Sequence, residues 1–376
     1  MHPKELLKEG LLDYRRTPIE RESPEQRGYK NMRYNLTESS VRDTKYTDLK
    51  LDIEDLIFSY TGHKGDLQLR RLIADESFDE EEVLVTTGAA SSLFIAATSL
   101  LKPGDHVVIL HPNYITNIET PRAIGCRSEY LRLSFENGFR MDSEILEGLI
   151  KDDTRLVSIT YPHNPTGMNI TREELVEIVS IVESKGCFLL VDETYREMTF
   201  GTPLPVAASL SPRAISISSM SKSYGLPGIR IGWLISRDER LRERFLAAKE
   251  QIFICNSIVD ERIALSFLKN KNLLFPKIKD HIITNFGIVK SWMENSAFME
   301  WVEPGGGCVC FPHMKSGIDV EKFYSILNEK YRTFVGPGHW FEMDRRFMRI
   351  GYGWPTRDEL EGGLGCITKS LEELKV

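Results

Sequence analysis

Between residues 83 and 237 the chain alternates short, nearly continuous apolar runs with stretches of helical period. The runs are EVLVTT, HVVILHP, SEYLRL, RLVSITYP, CFLLVDET, AISISSM and RIGWLIS. Continuous rather than alternating apolarity marks strands that are covered on both faces. The stretches between them carry helix start and stop signals. In TREELVEIVSIVESKG, Thr171 and Glu174 form a capping box, and Leu175, Ile178, Val179 and Val182 make one apolar stripe that Gly186 ends. SSLFIAATSLLKPGD reads as a second helix, stopped at Pro103-Gly104. Strand–helix alternation on this scale predicts a three-layer α/β domain around a mostly parallel, seven-stranded sheet.

Beyond residue 237 the pattern changes. DERLRERFLAAKEQIFI and ERIALSFLKN read as helices, followed by strand fragments (CVCFP, FMRIGYG) and terminal helices (VEKFYSILNEK, RDELEGGLGCITKSLEEL). A smaller α+β domain is expected there, and 376 residues accommodate two domains. The expected division is a large domain over 46–275, a small domain over 276–376, and an N-terminal segment, 1–45, joining the small domain. A net charge of −7 leaves no basic footprint for nucleic acid. No apolar run approaches membrane-spanning length, and the charged N-terminus lacks the apolar core of a secretion signal. The six cysteines are sparse, as expected of reduced thiols in a cytoplasmic protein. Cys308 and Cys310, in GGGCVCFP, read as same-face strand residues rather than a metal pair, and no metal is expected.

In open α/β sheets ligands sit beyond the carboxyl ends of the strands, so the residues that follow each run carry the functional information. Gly88-Ala89-Ala90-Ser91 opens a helix after EVLVTT, and Pro112-Asn113-Tyr114 follows VVIL. His163-Asn164-Pro165-Thr166-Gly167 comes soon after RLVSIT, Asp192-Glu193-Thr194-Tyr195 ends CFLLV, and Ser219-Met220-Ser221-Lys222 ends AISIS. Singly, each has a plain structural reading: a turn, a helix cap, a packing aromatic, a surface lysine. Together they bring to one edge an anion-binding helix start, an aromatic, an amide, a carboxylate with a phenol, and an amine. Pyridoxal 5′-phosphate uses all of these. Its aldehyde needs an amine, its ring nitrogen a carboxylate, its ring an aromatic face, and its phosphate backbone N–H groups with an arginine fork.

The motifs NPTG, VDETY and SMSKSYGLPGIRIGW, in this order and spacing, resemble those of fold type I enzymes of the class I/II aminotransferase family. The resemblance covers nearly the whole chain and implies a role for each matching residue. Lys222 is the Schiff-base lysine and proton shuttle, and Asp192 pairs with the pyridine nitrogen. Asn164 and Tyr195 serve the phenolate oxygen, and Tyr114 stacks on the ring. Gly88, Ala89, Ala90, Ser219 and Arg230 form the phosphate site. Arg349, in FMRIGYG, is the arginine that grips the substrate carboxylate, with Asn164 beside it. Tyr60, in YTGHKGDLQLRR, matches the tyrosine that reaches the neighbouring subunit's cofactor, which implies a homodimer with shared sites.

The expected reaction is transfer of an amino group from an L-amino acid to a 2-oxo acid. The same constellation also serves C–S β-lyases, decarboxylases and cyclases. A cofactor-sensing regulator is the non-enzymatic alternative, and it would need a DNA-binding module for which there is neither spare length nor basic charge. The segment YNLTESSVRD departs from the family pattern: Glu38 and Ser39 stand where many relatives carry a glycine lining the substrate pocket. The substrate side chain is left open by this departure. His163, Trp340 and Phe341 carry no assigned role.

Overall fold

The computed structural model describes residues 12–49, 51, 53 and 55–374; residues 1–11 of the N-terminal segment lie outside them. Its strands in chain order are β1 (Tyr34–Leu36), β2 (Val83–Thr86), β3 (His106–His111), β4 (Arg127–Arg132), β5 (Thr154–Thr160), β6 (Phe188–Asp192), β7 (Ala214–Ser219) and β8 (Gly232–Ser236). They are followed by β9 (Met299–Glu300), β10 (Val309–Cys310), β11 (His313–Met314), β12 (Thr333–Pro337) and β13 (Met348–Gly351).

All seven apolar runs form one sheet, ordered β2-β8-β7-β6-β5-β3-β4, in which only β8 runs against its neighbours. Alternation along each strand shows why the runs had to be apolar throughout. Val107 and Ile109 of β3 pack into a core with Ile215 and Ile217 of β7 and helices Ala89–Leu100, Ile115–Ile124 and Glu239–Phe253. Val108 and Leu110 face the opposite core, with Val157, Ile159, Leu189 and Val191 against helix Arg172–Lys185. Each such buried aliphatic side chain contributes roughly 1.5–3 kcal/mol relative to exposure. The Arg172–Lys185 helix is capped as its sequence predicts: the Thr171 hydroxyl accepts from Glu174 N, and Gly186 closes it in the left-handed conformation.

The strand order reverses between β3 and β5. Neighbours on one side lead outward to β4, and on the other to β6 and β7, which opens a crevice beyond the carboxyl ends of β3 and β5. A second sheet, β1-β12-β13-β10, forms the smaller α+β unit. Tyr34–Leu36 lies parallel to Thr333–Val335, so the N-terminal segment supplies this sheet's edge. Helices Lys271–Glu294 and Arg357–Glu372 cover it through Ile282, Val289 and Met293, and through Leu360, Leu364 and Ile367. The first of these helices begins before residue 276 and carries Pro276 within it. Cys308 and Cys310 are both fully buried in this core. Among the described residues no helix is long and apolar enough to cross a membrane.

Candidate active site

The ends of β2, β3, β5, β6 and β7 open onto one cavity of about 900 Å³. Ala89, Ala90, Tyr114, Asn164, Asp192, Tyr195, Ser219, Lys222, Arg230 and Arg349 all line it. Gly88 adjoins it at the start of helix Ala89–Leu100. Tyr60 lies apart, 81% exposed.

Lys222 is half-buried three residues past β7. Burial lowers the pKa of its ammonium, opposed by the Glu38 carboxylate. Its own carbonyl accepts from Val41 N at 3.1 Å, which ties the lysine turn to the N-terminal segment. The turn beyond it needs Gly225: φ is +65°, and a Cβ there would lie 2.4 Å from the Arg42 carbonyl oxygen. Asp192, the last residue of β6, is buried, and its Oδ1 accepts from Thr194 N (3.1 Å) and Thr194 Oγ1 (2.5 Å). Burial pushes its pKa up, while the Thr194 donors, Asn117 and the Lys222 charge draw it back. A cationic partner would favour its charged form further. Burial pushes the Tyr195 phenol well up, so it stays protonated and able to donate.

At the far end, Gly88 takes φ +86°, and a Cβ on it would sit 2.4 Å from Arg230 Nη2. The missing side chain lets the guanidinium lie over the helix start. The first turn there leaves the N–H groups of Ala89 and Ala90 without helical partners. Gly232, first in β8 and opposite both Thr86 and Ser219, lets the two backbones meet: its Cβ would be 2.7 Å from Ala89 N. Arg230 donates to Ser221 Oγ at 3.2 Å and to the Pro227 carbonyl at 2.9 Å.

Arg349 of β13 reaches across from the small sheet. Its Nη1 donates to Asn164 Oδ1 (3.0 Å), its Nη2 to the Thr37 carbonyl (2.7 Å), and Phe341 lies under the guanidinium at 5.0 Å. Both acceptors are neutral, and its Nε, though buried, has no acceptor among the described residues. A buried guanidinium with neutral partners and an orphaned N–H has the chemistry to pair with a carboxylate. Because Asn164 gives its oxygen to Arg349, its amide N–H₂ remains to donate into the cavity.

Other polar residues at the site escaped sequence reasoning. Asn113 Oδ1 accepts from Thr160 Oγ1 (2.8 Å) and Tyr114 N (2.7 Å), fixing the aromatic, and its buried Nδ2 has no partner among the described residues. Thr194 sets the Asp192 carboxylate, and Thr37 holds Arg349. Asn113 and Thr194 stand in the same strand-end tripeptides as Tyr114 and Asp192, and that position was their only signal. His163 is structural: its ring bridges Pro112 O and Thr166 Oγ1, each at 2.7 Å. Trp340 lines the cavity and donates to Glu22 Oε2 at 2.9 Å.

Pyridoxal 5′-phosphate fits these residues on structural grounds. The Gly88–Arg230 cradle suits a phosphate, the buried Asp192 suits a ring N–H⁺, and Asn164 and Tyr195 offer donors between them.

The family model for aminotransferase class I and II matches residues 32–365. The chain is similar to a capreomycidine synthase from Streptomyces vinaceus, 27% identical over 324 residues, which cover 85% of this chain and 82% of that one. It is similar to the same degree to a probable N-acetyl-LL-diaminopimelate aminotransferase from Bacillus subtilis, 27% identical over 333 residues, with 84% and 82% covered. Among solved structures, a PLP-dependent aminotransferase from Streptococcus suis superposes with a TM-score of 0.84 at 24% identity, covering 92% of this chain and 95% of that one, and this likeness speaks for the fold. The family match takes in every residue from Tyr60 to Arg349 described above, and the chain belongs to the class I and II aminotransferases, enzymes whose cofactor is pyridoxal 5′-phosphate.

Proposed function

We propose that this enzyme moves an amino group from an L-amino acid to a 2-oxo acid, with Lys222 as its reacting amine. The observation that carries the reading is the placement of Lys222, with a pKa lowered by burial, in one cavity with Asp192 and Arg349. Burial disfavours the charged form of this amine, and the neutral form is the one that acts as nucleophile and base. When bound, pyridoxal 5′-phosphate supplies the aldehyde that captures the amino group and the ring that accepts the electron pair released at Cα.

The chain's own residues do the rest. Arg349 grips the substrate carboxylate with its fork and sets the Cα proton towards Lys222 Nζ, which removes it and would deliver it to the cofactor's aldehyde carbon, across the nitrogen that joins the two. Asp192 keeps the proton on the ring nitrogen. Asn164 and Tyr195 donate to the phenolate oxygen, and Tyr114 covers the ring face. Ala89 N, Ala90 N, Ser219 and Arg230 would hold the phosphate and so keep the cofactor in place when Lys222 is not bonded to it.

Tyr60 completes the phosphate site of a second copy of the chain, making a homodimer with shared sites. Ile57 (76% exposed), Phe58 (82%) and Tyr60 (81%) give that copy an apolar surface to cover. All six cysteines are unpaired, which suits a reducing, cytoplasmic setting.

The test is a single-turnover screen of holoenzyme with amino acids and no acceptor. Aminotransfer converts the lysine-bound cofactor band to the pyridoxamine form with one equivalent of 2-oxo acid, and an added oxo acid restores the band. Lys222→Ala should slow this by about 10³-fold or more. The relative named as a capreomycidine synthase and a solved structure named as a PLP-dependent cyclase favour a second reading, cyclisation on the same residues. That chemistry would consume substrate repeatedly without an acceptor and without a pyridoxamine form.

A further inference from the structure

Glu38 lines the cavity wall, and the proposed reaction does not use its carboxylate. It sits in the stretch that links the two halves of the site. Its predecessor, Thr37, receives Arg349 Nη2 on its carbonyl at 2.7 Å, and Val41, three residues on, donates to the Lys222 carbonyl at 3.1 Å. The Glu38 backbone is pressed onto β13: a Cβ on Gly351 would lie 1.8 Å from the Glu38 carbonyl oxygen, so only glycine admits the contact. The position of Glu38 is therefore set by the same residues that set the arginine and the lysine.

Its carboxylate lines the cavity and is half-buried. Oε1 accepts from Tyr29 OH at 3.0 Å and from Asn35 Nδ2 at 3.4 Å, both neutral donors. Among the described residues it makes no ion pair. Besides Asp192, Lys222, Arg230 and Arg349, the charged groups lining the cavity are Glu20 and Glu25, which are exposed, Arg15, which is paired with Asp13, and Arg16, which donates to the Glu20 carbonyl; the Glu38 charge also favours the cationic forms of Lys222 and Arg349. A substrate whose carboxylate is on Arg349 and whose Cα is at Lys222 has one group left to place, its side chain, and the anchored carboxylate facing it is Glu38.

We infer that Glu38 selects amino acids carrying a cationic side chain, a guanidinium or an ammonium, by pairing with that charge inside the cavity. The inference rests on Arg349 as the carboxylate grip. A carboxylate with one oxygen held by a phenol is oriented before the ligand arrives, and a guanidinium meets such a group through two charge-assisted hydrogen bonds. A neutral side chain of the same shape would leave the carboxylate facing an uncharged neighbour. Discrimination therefore comes from charge rather than size.

The test uses unreactive ligands, so it does not depend on turnover. 5-Guanidinopentanoate and 5-ureidopentanoate are the des-amino analogues of arginine and citrulline, alike in shape and different in charge. Calorimetric titration of holoenzyme should give a dissociation constant about tenfold lower, or more, for the guanidino acid. Glu38→Gln should bring the two constants within about twofold, through loss on the guanidino acid alone. A 6-aminohexanoate arm shows whether the ammonium is taken as well as the guanidinium. Equal affinities in the unmodified enzyme overturn the inference and leave the proposed function standing. An equal loss on both ligands in Glu38→Gln also overturns it, because Glu38 would then be acting through Lys222 and Arg349. If neither acid binds, the Arg349 grip fails, and the inference with it.

Discussion

The buried imidazole of His163 joins two strand-end loops, from Pro112 and from Thr166, so that Tyr114 and Asn164 are held at a set distance across the crevice. Burial holds its pKa at about 4, from an ordinary 6.5, against the pull of the Pro112 carbonyl. Between those values the unfolded chain binds a proton that the folded one refuses. Stability from this site is therefore complete near pH 7 and is lost as pH falls through 6.5 towards 4, by up to about 3 kcal/mol. Glu193, whose pKa burial raises to about 7, titrates with the opposite sign, so the test is a comparison rather than a single profile. The stability difference between wild type and His163→Gln, followed by denaturant unfolding, should shrink as pH falls from 7 to 4; a constant difference would refute the assignment. Lys222 and Asp192 were legible as candidates because they end strands whose other ends carry complementary groups, and Arg349 was legible only through the family resemblance. Asn113, Thr194 and Thr37 were not, since each acts only by orienting a partner and looks like any loop residue.

At the level of elements, six strands of the large sheet were readable because both faces are buried and no polar alternation was needed, whereas the edge strand β4 buries only Leu131. The edge strand Tyr34–Leu36 was not readable as a strand. Three residues carry no period, and the strand exists by pairing with Thr333–Val335, some three hundred positions away. Helix Lys271–Glu294 was hidden for another reason. Its buried positions, Phe275, Ile282, Asn285, Val289 and Met293, include a polar residue, and Pro276 interrupts the pattern near its start. Asn285 is inside because its Nδ2 donates to the carbonyls of Tyr352 (2.8 Å) and Pro355 (2.9 Å), anchoring the chain just past Arg349. The NPTG turn is likewise a joint: Gly167 takes φ +72°, and a Cβ would lie 2.4 Å from the Val309 carbonyl of the small sheet. The close fit of that turn explains why a motif that reads as a simple loop also fixes where Arg349 stands relative to Asn164.

On the scale of the whole molecule, the cavity takes its walls from both units, the lysine side from the large sheet and the arginine side from the small one. Tyr60 is exposed on the same chain, and the homodimer reading gives it a place in a second copy's site. Subunit mixing examines that reading. Lys222→Ala and Tyr60→Ala chains, unfolded and refolded together, should yield more activity than the mean of the two alone, because half the sites of a hybrid dimer are intact; activity equal to the mean would contradict shared sites. Everything else rests on Lys222 as the amine that holds the cofactor. Borohydride reduction of the holoenzyme, followed by digestion and mass mapping, reads this out. A phosphopyridoxyl group on the peptide bearing Lys222 is the predicted result; the label on another lysine, or on none, would contradict it.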